Sequence, residues 1–178
     1  MRPGSSRPHE SPVPLGRECS SGIVAIRPPT GIISTVIPQG TVAELMEMLD
    51  QDRSRLRSIV TGKDSAALSS SSNGKWSVIE NLRHILFFEQ SLGRFTSANV
   101  AFSPLGYPPP GLWKRFPGFQ FAATPTAAEV IAEWDAAHSA IRDSFTRDDD
   151  EVRLALGKAV RHLRGHIRQI ESALRARQ

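Results

Sequence analysis

The stretch VRLALGKAVRHLRGHIRQIESAL, residues 152–174, decides how this chain is read. Val152, Leu156, Ala159, Val160, Leu163, Ile167, Ile170 and Leu174 recur every three or four residues, the spacing that lines one face of an α-helix. The preceding Asp148-Asp149-Asp150-Glu151 puts negative charge where a helix N-terminus is positive, and the basic residues around Arg175 suit the opposite end. The stretch therefore reads as one helix from the acidic cluster to about Arg175, with a stripe that must be covered by other helices.

Three earlier segments open with a common signal. Thr41-Val-Ala-Glu44, Ser77-Val-Ile-Glu80 and Thr126-Ala-Ala-Glu129 all fit a capping box. In that motif the hydroxyl accepts from the backbone N–H three residues on, and the glutamate reaches back. Apolar residues at helical spacing follow, as with Leu45, Met48, Leu49, Leu56 and Ile59 after the first box. The spacing predicts helices over 42–60, 78–95 and 127–145 in addition to the C-terminal one. No segment carries a strand pattern, and no repeat is present. The expected fold is all-α, a four-helix bundle with long connections.

The connections have their own composition. Residues 61–75 are rich in serine and glycine and read as a flexible loop. Residues 103–125 contain Gly106-Tyr-Pro-Pro-Pro-Gly111 and Arg115-Phe-Pro-Gly118, which forbid continuous helix. Tyr107, Trp113, Phe116, Phe119 and Phe121 suggest that this loop packs back on the body. Residues 1–40 hold prolines at 3, 8, 12, 14, 28, 29 and 38 among serine and glycine. Such sequence buries too little apolar surface to offset its ordering entropy. Residues 1–40 are thus expected to be a disordered tail, and 41–178 the bundle domain.

Composition narrows the function classes. The single cysteine, Cys19, excludes an internal disulfide and a cysteine-based zinc site, and it suits a reducing compartment. No run approaches the ~18 consecutive apolar residues of a transmembrane helix. Gly22-Ile-Val-Ala-Ile26 is too short for a secretory core. The expected location is cytoplasmic, with no membrane partner. A net charge of +4, from 22 basic and 18 acidic residues, does not by itself demand nucleic acid.

The chemistry lies in His162-Leu-Arg-Gly-His166. Four residues apart on a helix, both imidazoles face one side, one turn apart, and two such nitrogens can grip one divalent ion. On a wheel centred at Leu163, His166 falls about 60° and His162 about 100° to the same side, at the border of the apolar stripe. Small residues Ala155, Ala159 and Ala173 lie beside them. A third ligand has to come from elsewhere. His84 and His138 both sit on predicted helices, and spacing alone does not choose between them. Glu80, one turn before His84, could orient or supplement a ligand, or simply close its capping box.

Two stretches carry a family resemblance. Trp76-Ser-Val-Ile-Glu80 followed by His84 is similar to a W-S/T-x-x-E-x-x-x-H motif at the start of a second helix. His162-Leu-Arg-Gly-His166-Ile-Arg-Gln169-Ile170 is similar to H-x-x-x-H-x-x-Q-I on a fourth. In both motifs, their order and the helix count, the chain resembles the DinB-like family of four-helix-bundle metalloproteins, which includes the YfiT-type thiol transferases, over roughly residues 41–176. The resemblance implies that His84, His162 and His166 hold one divalent metal ion, usually zinc or nickel. It implies a metal-dependent transferase acting on a small-molecule substrate. The co-substrate would be a low-molecular-weight thiol of the bacillithiol, mycothiol or glutathione type, with a related hydrolase as the close variant. His138 would then be an ordinary helix-surface residue. Beyond the ligands it assigns no catalytic residue. Arg83, or an arginine of the last helix, offers a charge for an anionic cofactor.

Two other readings stand beside this one. Residues 153–178 carry six arginines, one lysine and a single acid, Glu171, so the basic last helix could serve a non-enzymatic helical binding module. No recognition motif or stacking-aromatic pattern accompanies it, so nucleic acid is not the expected partner. In the third reading the bundle forms a homodimer through exposed helix faces, with the metal as a staple.

Overall fold

The computed structural model describes residues 36–71, 74–95, 100–109, 112, 122–145 and 147–176. Of the tail expected to be disordered, residues 1–40, all but 36–40 lies outside the described residues, as does the packing of Trp113, Phe116, Phe119 and Phe121. Among the described residues, five helices account for the regular structure: α1 (Val42–Val60), α2 (Ser65–Ser69), α3 (Val78–Phe95), α4 (Ala127–Ser144) and α5 (Asp150–Arg175). Among the described residues there is no strand, and the fold is all-α.

The helix starts follow from local chemistry. Both arms of the capping box are made at Thr41–Glu44 and at Thr126–Glu129. At the third box the Ser77 backbone N–H donates to Glu80 Oε2 at 2.7 Å and the Glu80 N–H donates to Ser77 Oγ at 3.2 Å. Asp149 caps α5 by accepting from the Val152 N–H at 3.0 Å. Helix α2 is a correction, since the segment 61–75 reads as a flexible loop. Asp64 caps it through the Ala67 N–H, and Leu68 anchors it in the core, where α2 packs on α3.

Side-chain contacts set the directions of the four long helices. Asp52 meets Arg164 and Arg55 meets Glu171, so α1 and α5 run parallel. Glu89 meets Trp134, and Gly93 lies against Ile141, so α3 and α4 run parallel. Asn81 meets His166 while Phe88 stacks on His162, so α3 and α5 are antiparallel. Asp50 meets Arg142 and Arg53 meets Asp135, so α1 and α4 are antiparallel too. Consecutive parallel helices need a connection that travels back along the bundle. An 18-residue helix such as α3 is about 27 Å long, so the return alone takes at least about eight extended residues. This is why the α3–α4 connection, residues 96–126, is long; it is a crossover of the kind found in bundles with one such link.

The stripe read from α5 is the seam of the core. Val152, Leu156, Ala159, Val160, Leu163, Ile167 and Ile170 are all buried, against Leu45, Leu56, Leu82, Leu86 and Ile141 among others. Ahead of α1, Ile37 and Pro38 cross α5 at Gly157. A Cβ on Gly157 would lie 2.5 Å from the Pro38 carbonyl oxygen and 2.8 Å from Ile37 Cγ2. Glycine inside a helix costs about 0.5–1 kcal/mol relative to alanine. Overpacking against backbone costs about 1–3 kcal/mol. The clash outweighs the propensity gain, so Gly157→Ala is expected to lower the urea midpoint. A variant stabilised by its better helix propensity would contradict the close approach.

A polar cluster lies inside the bundle among α1, α3 and α4. Glu89 accepts from Arg53 Nη1 at 2.9 Å, from the Trp134 indole N–H and from His138 Nδ1. Arg53 also donates to the Trp134 carbonyl at 3.3 Å and to Asp135 at 3.0 Å, and its guanidinium stacks over the Trp134 ring at 3.9 Å. Burial pushes the Arg53 guanidinium below its ordinary value, and the Glu89 charge pushes it back up. His138 is not a surface residue. It is 7% exposed, with Nε2 placed 2.7 Å from Asp50 Oδ1.

Candidate metal centre

Helix α3 presents His84, and α5 presents His162 and His166 one turn apart. The antiparallel crossing of the two helices brings the three rings together. His162 Nε2 lies 3.2 Å from His84 Nε2 and 3.2 Å from His166 Nε2. Four tetrahedral ligands at a zinc–nitrogen distance of about 2.0–2.1 Å would be about 3.3 Å apart. The spacing and the donor type both fit one divalent ion held by three imidazoles, and this is the one such cluster of histidine, cysteine or carboxylate groups among the described residues. His138, the other candidate for third ligand, is held in the Glu89 cluster instead.

The rings are fixed from behind. His84 Nδ1 lies 3.1 Å from the Tyr107 carbonyl oxygen. That oxygen can only accept, so Nδ1 carries the hydrogen and the Nε2 lone pair faces the other rings. His166 Nδ1 lies 2.7 Å from Asn81 Oδ1. Phe88 stacks on His162 with ring centroids 3.9 Å apart. Trp76 stacks on His166 at 6.1 Å and meets His84 edge-on at 5.0 Å. These rings form an aromatic wall along one side of the triad.

The crossover supplies part of this shell. Arg83 Nε donates to the Leu105 carbonyl at 2.9 Å and Nη2 to the Ala122 carbonyl at 2.6 Å. The Tyr107 N–H returns a bond to the Arg83 carbonyl at 3.0 Å. Arg83 is therefore turned to the loop, and its backbone and side chain tie the segment that carries the Tyr107 carbonyl to α3. Glu80 is taken by the Ser77 cap. Arginines of the basic helix are also engaged: Arg164 with Asp52, and Arg153 with Asp148 and Asp150.

Burial sets the charge state. Desolvation first, then the neighbouring His166, His84 and Arg161, push His162 down to about 2. Desolvation, then His84, pushes His166 down to about 3. Burial lowers His84 also, opposed by its bond to the Tyr107 carbonyl. All three imidazoles are neutral near pH 7, the form a metal requires.

A sequence model of the DinB superfamily matches residues 48–170. The chain belongs to the DinB superfamily. The match runs from α1 to the end of the α5 seam and includes all three histidines. Neither the curated proteins nor the solved structures gave a match to this DinB-superfamily chain. No helix among its described residues is long and apolar enough to cross a membrane.

The site residues not singled out from the sequence are Asn81, the Tyr107 carbonyl, and the rings of Trp76 and Phe88 as walls. Trp76 stood in the quoted motif; Asn81 lies three residues before His84, on the turn that faces α5. The Tyr107 carbonyl left no signal, since any residue supplies one.

The depressed histidines fix a sign for acid stability. Below the ordinary value of 6.5 the unfolded chain takes up protons that the fold refuses, so stability falls as pH falls through that value. Each group contributes at most about 1.4 kcal/mol per pH unit, so in chelator the urea midpoint at about pH 5.5 is expected well below that at about pH 7.5. The gap narrows in His162→Ala. Equal midpoints would contradict the burial of neutral rings.

Proposed function

We propose that this DinB-superfamily protein binds one divalent ion, zinc or nickel, through His84, His162 and His166, and transfers a low-molecular-weight thiol to an electrophilic small molecule. The observation that carries this reading is the convergence of three imidazoles, two buried and one half-buried, with His162 Nε2 3.2 Å from each of the other two Nε2 atoms. Three protein donors leave a coordination position open, as in catalytic rather than structural sites. An ion held there would lower the pKa of a thiol or water beside it and make that group nucleophilic near neutral pH.

The chain's own residues do the rest. His84 and His166 are held in place by the Tyr107 carbonyl and Asn81, so little reorganisation is needed on loading. Phe88 and Trp76 wall one side of the triad. In the transfer the S–H proton leaves to solvent and the sulfur lone pair forms the new bond. The displaced group departs with the electrons of the bond that breaks. With water in place of the thiol, the same arrangement supports hydrolysis.

The test is turnover by the full chain loaded with zinc or nickel. It is measured as consumption of bacillithiol, mycothiol or glutathione in the presence of an electrophilic acceptor, with hydrolysis followed in parallel. The expected result is metal-dependent turnover that disappears in His84→Ala. Turnover that is equal in that variant, or none with any of the thiols or with water, would overturn the enzymatic reading.

A further inference from the structure

We propose that Asn81 is the positioning residue for His166, its side-chain amide deciding which ring nitrogen of His166 faces the other two imidazoles. The inference rests on the reading of the triad as a metal site. Asn81 is 1% exposed and sits in the first turn of α3. Its Nδ2 lies 2.8 Å from the Ser77 carbonyl oxygen and 3.5 Å from that of Trp76. Carbonyl oxygens only accept, so the NH2 end of the amide must face them. The amide oxygen then faces His166 and accepts from Nδ1 at 2.7 Å. Nδ1 carries the hydrogen, and neutral His166 keeps its lone pair on Nε2, the atom 3.2 Å from His162 Nε2.

The opposite tautomer would set a lone pair against the amide oxygen and a hydrogen in the middle of the triad. The Trp76 stack holds the plane of the His166 ring but cannot distinguish its two nitrogens. On the Nδ1 side of the ring, Asn81 makes that choice. The Ser77 carbonyl that orients the amide also receives the Asn81 backbone N–H at 3.1 Å, so the turn that starts α3 sets both the helix and the ligand. Partners of this kind hold a metal-binding histidine in one orientation, and their loss weakens metal affinity about 10–100-fold.

The experiment compares the wild-type chain with Asn81→Leu, which removes the acceptor at similar size, and Asn81→Asp, which keeps one. Zinc affinity is read by competition with a chromophoric chelator, and fold by circular dichroism. The His166 tautomer is read in chelator from the long-range ¹H–¹⁵N spectrum of its imidazole. Expected are the Nδ1–H form in the wild type, a mixed tautomer and about 10–100-fold weaker zinc binding in Asn81→Leu, and recovery of both in Asn81→Asp. Wild-type affinity in a folded Asn81→Leu, or an Nε2–H form of His166 in the wild type, would overturn the role of Asn81. A wild-type chain that shows the Nδ1–H form yet binds no zinc would overturn the metal reading itself, and this role with it.

Discussion

Replacing Glu89 with leucine is expected to remove about 3–5 kcal/mol of stability, a large part of the about 5–15 kcal/mol that holds a domain folded. Glu89 is 8% exposed and is the acceptor for Arg53, the Trp134 indole and His138 at once. Without it the Arg53 guanidinium, 5% exposed, keeps only the Trp134 carbonyl and Asp135. An uncompensated buried charge is the expensive outcome, more so than the loss of any one bond. The double variant Arg53→Met with Glu89→Leu removes both charges and should lose less than Glu89→Leu alone. Urea denaturation checks both. A loss under about 1 kcal/mol in the single variant, or a double variant worse than the single, would show that Glu89 is not the hub of this cluster.

The second large effect concerns the triad. His84→Ala and His162→Ala are each expected to weaken zinc binding by well over the about 10–100-fold that follows loss of an outer partner, because each removes a donor outright. The two variants should differ in stability more than in affinity. His84→Ala removes the bond between the imidazole and the Tyr107 carbonyl, and the crossover loses one of its ties to α3. His162→Ala loses a ring stacked on Phe88. Competition titration checks the affinities, and urea denaturation in chelator separates the stabilities. A variant that loses less than tenfold in affinity would remove that histidine from the site.

The two effects are separate in space although α3 carries both. His84 faces α5, and Glu89 faces α1 and α4. One helix buried on nearly all sides thus serves a structural cluster and a candidate site. The same burial that makes the Glu89 cluster costly to disturb keeps the triad histidines neutral.

What could be read in the sequence was mostly what is local. Thr41, Ser77 and Thr126 mark helix starts because a capping box needs only three neighbouring residues, and the α5 seam shows itself as a period. The bundle followed from these. Helix α2 did not, because five residues with one apolar anchor give no period, and the burial of Leu68 is decided by α3. His138 was misplaced for a similar reason. Its partners Glu89 and Asp50 are 49 and 88 residues away, and no spacing along α4 announces them. Arg83 read as a charge next to a ligand, yet its partners are backbone carbonyls of a loop, which leave no mark in the sequence. The pair His162 and His166 was legible from spacing, and His84 joined it through the motif. The packing that brings α3 against α5 then placed the three rings together.

The proposed function depends on one metal ion held by His84, His162 and His166. The most direct measurement is elemental analysis of the purified full chain, wild type beside His84→Ala and His162→Ala. Close to one zinc or nickel per wild-type chain is expected, with a large loss in both variants. Metal retained in both, or a wild-type chain that stays free of metal after incubation with zinc and with nickel, would contradict the proposed site.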